Sequence, residues 1–210
     1  DVAATVDAVR IATALRRAGY PDVTLAPTAR TAPGERRRMD LAVGRSGGRI
    51  ILGLHRQRSA EVVDLHECLV LHPTLVALIT PLRHLLARLS AMRREASVIA
   101  NLLDSGADLL LRTDGPLPIA DRLALTEFAR THRLPRVAWA QGKAEPEAVA
   151  ILRPPTTVLS GVTVAPPPGA FLQASASGEA AIIAAVLAGL PAKGDVAELY
   201  AGCGSLTFAL

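Results

Sequence analysis

The sequence predicts an α+β domain over residues 1–158, followed over residues 159–210 by the first strand and helix of an α/β domain. Pairs of alternating strands dominate the first part, whereas strands and helices alternate in the second. The chain has 210 residues, half of them hydrophobic. That is enough for one large domain, or for one domain and part of another.

The first elements follow from apolar spacing and turn residues. Residues 2–17 have apolar side chains at helical spacing, and Gly19 predicts where that helix ends. The stretches RRRMDLAV and RIILGLHR both alternate and are joined by GRSGG, which predicts a β-hairpin. A third strand is expected over residues 61–65. A helix with Pro73 in its first turn is expected over residues 73–89.

The stretches SVIANLLD and ADLLLRTD predict a second pair of strands, separated by Ser105 and Gly106. The remaining expected elements are a helix over residues 119–132, strands over 136–140 and 158–164, a helix over about 177–190 and a last strand over 195–200. The last strand leads into the Gly-x-Gly turn of ELYAGCGSLTFAL, after which a helix is expected to begin.

Composition narrows the classes of protein. No apolar run approaches the roughly 20 residues of a membrane helix, and no secretory signal opens the chain. Two cysteines far apart in the sequence do not form a disulfide framework and indicate a reducing compartment. We therefore expect a cytoplasmic, monomeric protein without a membrane partner. Asp1 follows no Met, so the natural start is expected upstream.

Positive charge is concentrated in one segment. Residues 30–58 contain eight Arg against two acidic residues, within a chain of net charge +4. A basic stripe of this kind is typical of a surface that binds a phosphate backbone, although charge runs are also often plain solvated faces. The residues expected to contact RNA are Arg36, Arg37, Arg38, Arg56 and Arg58.

The Gly-x-Gly turn points to a cofactor. A dinucleotide fingerprint would require a third glycine at position 207, where this chain has Thr207. The stretch ELYAGCG instead resembles the first motif of class I S-adenosylmethionine-dependent methyltransferases. In such a turn, glycines let the backbone approach a ligand and the helix amides meet its carboxylate. A turn that serves only packing is the alternative.

Upstream stretches extend this resemblance. GAFLQASASGEAAIIAAVLAGL followed by ELYAGCGSLTF resembles the RNA uracil-5-methyltransferases that modify transfer RNA and large-subunit ribosomal RNA. GERRRMDLAV and GLHRQRSAEVVDLHECLVLHPTLVALI are similar to further segments of that family, in the same order. The resemblance implies that residues 159–210 begin a Rossmann-like domain that binds S-adenosylmethionine. It also implies RNA as the substrate, with 5-methyluridine in 23S rRNA or tRNA as the product.

The cofactor-binding residues are implied by this resemblance, position by position. They are Gln173, Tyr200, Gly202, Gly204 and Ser205. Three positions depart from the family pattern: Ser175 replaces Asn, Leu69 replaces Pro after the cysteine, and Ala201 stands where many members have Cys. These departures affect the expected cofactor affinity and substrate choice.

Cys68 has two interpretations. His66, Cys68 and His72 lie close together in sequence, but a zinc finger would need a second pair of ligands. The resemblance implies that Cys68 is the fourth ligand of a [4Fe–4S] cluster whose other three cysteines would precede Asp1. A buried small hydrophobic residue is the alternative. Cys203 is not expected to be a nucleophile, because it is the variable residue of the turn.

The family reaction requires a cysteine that adds to uracil carbon 6 and a base that removes the carbon 5 proton. The resemblance implies that both follow residue 210, so no catalytic residue is expected here and this polypeptide alone is expected to be inactive. Two alternatives remain at this point. They are a non-catalytic RNA-binding or iron–sulfur module, and a methyltransferase of the same fold with another substrate.

Overall fold

The computed structural model describes residues 2–191 and 193–210; Asp1 and Ala192 lie outside the described residues. The chain divides into two compact units, Asp1–Thr31 and Ala32–Leu210. The domain boundary expected after residue 158 stays a prediction. In the structure that position lies inside a short strand of the second unit.

The first unit contains helix α1, Val2–Arg17. Its end has the hydrogen bonds typical of a glycine-terminated helix: the amide of Tyr20 donates to the carbonyl of Leu15 at 2.9 Å. Gly19 has a φ of +91°, which glycine adopts at little cost. The predicted helix and its end are therefore confirmed.

A seven-stranded sheet forms the centre of the second unit. The strands are β1 Arg38–Ser46, β2 Arg49–His55, β3 Val62–Asp64, β4 Glu95–Leu103, β5 Gly106–Thr113, β6 Arg136–Gln141 and β7 Glu147–Ile151. Their order across the sheet is β3-β2-β1-β4-β5-β6-β7. Neighbouring strands are antiparallel except β5 and β6. Both predicted strand pairs are confirmed.

The described residues of the second unit also form three helices, which are α2 Pro73–Arg88, α3 Ile119–Thr131 and α4 Ala176–Gly189. The parallel pairing of β5 and β6 requires a crossover connection, and α3 provides it. Helix α2 buries one aliphatic side, made of Leu75, Leu78, Ile79, Leu82, Leu85 and Leu86. Burial of each such side chain contributes about 1.5–3 kcal/mol, so this side of α2 is a principal source of the core.

The face of the sheet away from the α2 core contains a polar row that is covered by the chain. Arg136 donates to Asp108 through two bonds of 2.8 Å and to the carbonyl of Pro166 at 2.8 Å. Asn101, opposite Asp108 on the neighbouring strand, donates to the carbonyl of Ala170 at 2.8 Å. These bonds hold the segment that leads to Gln173 against the sheet.

Three expectations about elements were wrong or incomplete. Residues 158–164 form a hairpin rather than one strand, with β8 Thr157–Leu159 and β9 Val162–Val164 joined through Ser160 at a φ of +46°. Strand β7 was not predicted. The strand expected over residues 195–200 is absent: among the described residues no strand pairs with this segment, and an extended segment without a ladder partner leaves its backbone groups unpaired.

The fold class is thus confirmed as mixed α and β, built on the seven-stranded sheet. The expected opening of a Rossmann-like domain is not confirmed, because residues 201–210 consist of turns and not of a helix. None of the helices within residues 2–191 and 193–210 is both long and apolar enough to cross a membrane.

Candidate cofactor site and RNA-facing surface

The start of α4 is fixed by serine side chains. The Oγ atom of Ser175 accepts from the amide of Gly178 at 3.1 Å, which satisfies one of the free amides at the helix start. The hydroxyl of Ser177 donates to the carboxylate of Glu35. Ser175 was identified as a departure from the family pattern, and here it is the N-cap residue of α4.

Gln173 lies just before this cap, and Arg37 holds its backbone in place. The Nε atom of Arg37 donates to the carbonyl of Gln173 at 3.1 Å, and the amide of Arg37 donates to the carbonyl of Ala174 at 2.7 Å. Gln173 as a whole is half-buried. Its placement in a fixed backbone segment suits a residue that offers a side-chain amide to a ligand.

Glu179 connects this segment to the Gly-rich turn. Its Oε2 atom accepts from Nη2 of Arg37 at 2.8 Å and from the hydroxyl of Ser205 at 2.9 Å. Only 8% of Glu179 is exposed, although it carries a charge. One buried carboxylate therefore brings together Arg37 and Ser205, two residues that were singled out for different reasons.

The Gly-rich turn itself has an unusual backbone. Tyr200 has a φ of +60° and is fully exposed, while Gly202 and Gly204 have φ values of +61° and +93°. A Cβ atom added at Gly202 would meet nothing closer than 3.9 Å, but one added at Gly204 would clash with the ring of Phe208. The backbone is thus open to a ligand at Gly202 and covered by Phe208 at Gly204.

These residues fit a small polar cofactor in part. The open backbone at Gly202 and the amide of Gln173 suit a ligand with polar edges. The hydroxyl of Ser205 donates to Glu179, so toward a ligand it can offer only its acceptor lone pairs, and its role in binding stays a prediction. Burial raises the pKa of the Cys203 thiol, which disfavours the thiolate, in keeping with its not being proposed as a nucleophile.

The described residues around Cys68 give no support to a metal cluster. A [4Fe–4S] cluster takes four thiolates, of which the resemblance assigns Cys68 alone to this stretch. Cys68 is half-buried and packs against the apolar core. Within the part of the chain that the structure describes, no group of three or more His, Cys, Asp or Glu side chains is placed to hold a metal. The iron–sulfur cluster is therefore not supported.

The neighbouring histidines have local partners instead. His66 lies 3.3 Å from the carboxylate of Asp64, and Nδ1 of His72 accepts from the amide of Thr74 at the start of α2. Burial alone would raise the pKa of Asp64, but hydrogen bonds from Arg83 and the amide of Leu52 outweigh it and hold that pKa low. These contacts give both histidines of the HECLVLH stretch partners within the chain.

The five arginines expected to contact RNA fall into two groups. Arg37 and Arg38 are mostly buried and donate to groups within the chain, so the structure does not present them as free phosphate contacts. Arg36 is exposed, with Nε donating to the carbonyl of Arg38 at 3.0 Å. Arg56 is exposed and paired with Glu61, and Arg58 is exposed with a φ of +58°.

The face of the sheet away from the α2 core is left uncovered over part of its area. This part forms a groove of about 670 Å³. Small residues on adjacent strands make its floor, namely Ala42, Gly44 and Ser97. One wall includes His55 and Ala60, so Arg56 and Arg58 lie on the loop between two lining residues. We call this the open-face groove.

Arg94 on the open-face groove was missed by the sequence analysis. It is exposed, lines the groove and has no ion-pair partner among the described residues. Its amide and that of Arg93 donate to the carboxylate of Asp114, each at 2.9 Å. Burial alone would raise the pKa of Asp114, but these bonds outweigh it and keep the pKa low. Arg94 lies outside the arginine-rich run, so charge clustering did not mark it.

Comparisons with known proteins agree with the resemblance seen in the sequence. No protein-family model matches the chain. An uncharacterized RNA methyltransferase of Brucella suis is 34% identical over 189 residues, covering 90% of this chain and 44% of that protein. The 23S rRNA (uracil(1939)-C(5))-methyltransferase RlmD of Pectobacterium carotovorum is 29% identical over 208 residues, covering 98% of this chain and 46% of that protein.

Structure comparison agrees on the fold. The crystal structure of Pyrococcus abyssi tRNA (uracil-54, C5)-methyltransferase in complex with S-adenosyl-L-homocysteine superposes with a TM-score of 0.62 at 16% identity. The match covers 93% of this chain and 50% of that one. At this identity the likeness concerns the fold alone. The chain spans about half the length of the curated relatives that it matches.

Proposed function

Because the chain belongs to the RNA uracil-5-methyltransferase family, we propose that the full-length protein methylates carbon 5 of a uridine in 23S rRNA or tRNA, with S-adenosylmethionine as donor. The observation that carries this proposal is the match to RlmD over 98% of the chain. The alternatives of a non-catalytic module or another substrate have no comparable support. A cytoplasmic location is proposed as well, because the relatives modify RNA, and the monomeric state stays a prediction.

The donor supplies an electrophilic methyl group. Gln173, placed by Arg37, is proposed to hydrogen-bond the donor through its side-chain amide. The open backbone at Gly202 lets the donor lie close to the turn. Tyr200, fully exposed beside the turn, offers a ring face to the donor. Gly204 and Ser205 contribute through the shape of the turn.

RNA is proposed to bind along the exposed arginines. A phosphate backbone favours cations that have not already been neutralised, so Arg36, Arg58 and Arg94 are better suited than Arg37 and Arg38. The open-face groove next to Arg58 and Arg94 has the size of a pocket that holds a small molecule or a few nucleotide groups. Extruding the target base costs a few kcal/mol, which these backbone contacts help to offset.

No nucleophilic cysteine or base is proposed among the described residues, and the 210-residue polypeptide by itself is proposed to be inactive. The proposal is tested in a strain that lacks the gene. Mass spectrometry of digested 23S rRNA and total tRNA is expected to show the loss of one 5-methyluridine, restored by the wild-type gene. Unchanged 5-methyluridine in both RNAs would contradict the proposal, and the RNA that loses it identifies the substrate.

A further inference from the structure

We propose that Glu179 is a positioning residue for the methyl donor, acting through Arg37 on one side and Ser205 on the other. The inference rests on the proposed function, since it concerns how this chain would hold the donor. Its physical content is that a single buried carboxylate fixes the Gly-rich turn relative to the segment that contains Gln173.

Glu179 differs from every other residue of its helix in charge and in burial. Helix α4 reads ASGEAAIIAAVLAG, and Glu179 is its one charged residue and its one buried residue among those described. Burying a carboxylate is costly unless it is paired. An ion pair in such a place is weak evidence for stability, because apolar substitutes are often as stable. The presence of a buried carboxylate at Glu179 is better explained by the groups that it holds together.

Arg37 and Glu179 together bond to residues of both implied donor-binding segments. The guanidinium of Arg37 donates both to the carbonyl of Gln173 at 3.1 Å and to the carboxylate of Glu179 at 2.8 Å. The same carboxylate oxygen accepts from Ser205 at 2.9 Å. Residues from both implied donor-binding segments are therefore joined through one arginine and one glutamate.

Tyr200, just before the Gly-rich turn, has a φ of +60°, which a non-glycine residue keeps only where its surroundings hold it. Gly202 and Gly204 adopt their positive φ values at little cost. The hydroxyl of Thr207 donates to Glu198 within the same loop, whereas that of Ser205 reaches α4. Ser205 is thus placed to contribute to donor affinity indirectly, by fixing the turn, and not by contacting the donor.

The test uses the purified full-length protein and S-adenosylmethionine. We would measure donor Kd by calorimetry, KM for donor and for RNA, kcat and Tm for the wild type, Glu179→Gln, Ser205→Ala and the double variant. Glu179→Gln keeps the shape and removes the charge that holds Arg37. Each single change is expected to raise Kd and KM for the donor about tenfold, with kcat at saturating donor and KM for RNA within about twofold.

The double variant separates an indirect role from direct contact. If Ser205 acts through Glu179, the two effects do not add. If they add, Ser205 contributes on its own and the inference is overturned. Should Glu179→Gln fail to fold, Ser205→Ala leaves the ion pair intact and carries the test alone, with an unchanged donor Kd overturning the inference.

Asp64→Asn is the matched control, because it disrupts a partly buried ion pair with Arg83 that contacts none of the implied donor residues. It is expected to lower Tm while leaving the donor Kd unchanged. Parallel losses of donor affinity in Asp64→Asn and Glu179→Gln would reduce Glu179 to a structural role. A wild-type protein that binds no donor would instead refute the proposed function itself.

Discussion

The guanidinium of Arg38 donates to the carbonyl oxygen of Ala170 at 2.8 Å across the face of the sheet that lies away from the α2 core. Asn101 donates to the same carbonyl at 2.8 Å, and Arg38 also lies 5.8 Å from the ring centre of Phe171. Arg38 and Asn101 therefore hold Ala170, just before Gln173, against the sheet. We call these two bonds the clasp. The charge of Arg38 is therefore used in contacts within the fold and is not free for a phosphate group of RNA.

A first prediction follows for the arginine run. Arg38→Ala should lower the free energy of unfolding by about 1–3 kcal/mol, because it leaves the Ala170 carbonyl with one donor fewer and removes a partly buried charge-assisted bond. Arg36→Ala, at an exposed position, should change it by less than about 0.5 kcal/mol. Urea denaturation of both variants measures the difference. Equal stability of the two variants would show that the clasp contributes little.

A second prediction concerns RNA. Arg58→Ala and Arg94→Ala should each weaken binding of the full-length protein to RNA and reduce the slope of log K against log salt by about 0.7–0.9, the value of one phosphate contact. Arg130→Ala is the control, since Arg130 is an exposed arginine on α3 and does not line the groove. Binding titrations at several salt concentrations test this. Slopes equal to that of the wild type would show that RNA does not bind along the open-face groove.

A third prediction concerns pH. The pKa of Asp114 in the folded protein lies below its ordinary value of 3.8. The stability that it contributes is therefore fully present above pH 3.8 and is lost as pH falls through the lower, folded pKa. Asp114→Asn should be less stable than wild type at pH 6, by about 1–2 kcal/mol, because charge-assisted bonds to two amides are weakened.

The difference between Asp114→Asn and wild type should shrink below pH 3.8. Denaturation curves at pH 6, 4.5 and 3 measure it. A difference that stays constant over this range would mean that the charge of Asp114 does not stabilise the fold.

A fourth prediction compares two glycines with positive φ. A Cβ atom at Gly169, where φ is +71°, would lie 2.7 Å from Cδ2 of Leu110, whereas one at Gly142, where φ is +53°, would meet nothing within 4 Å. Gly142→Ala should cost about 1 kcal/mol from backbone strain, and Gly169→Ala about 1–2 kcal/mol more. Thermal unfolding would measure both. Equal losses would show that the side chain of Leu110 moves aside freely.

The hairpins were predictable because alternation and glycine turns are local signals. Val43 faces Leu52 across the first hairpin as the pattern requires. Strand β7 was not predicted, because it is short and lies at the edge of the sheet. The polar stretch KAEPE at residues 143–147, which leads into it, has no strand pattern. The strand expected over residues 195–200 failed for the opposite reason, since a suitable local pattern still needs a neighbouring strand to pair with.

The candidate site was predictable only as separate segments. The order of motifs marked Gln173 and the glycines of the turn. It did not mark Glu179, because the bond between Arg37 and Glu179 joins residues 142 positions apart, and no local pattern records such a distance. Likewise, the charge run identified Arg36, Arg37 and Arg38, but only the fold shows that Arg37 and Arg38 are already engaged within the chain.

The most direct test of the central claim is methyl transfer by the purified full-length protein. RNA transcripts of 23S rRNA and tRNA would be incubated with S-adenosylmethionine that carries an isotopically labelled methyl group, digested to nucleosides and analysed by mass spectrometry. We predict label in 5-methyluridine from one of the two RNAs. Labelled nucleosides other than 5-methyluridine, or none in either RNA, would contradict the account.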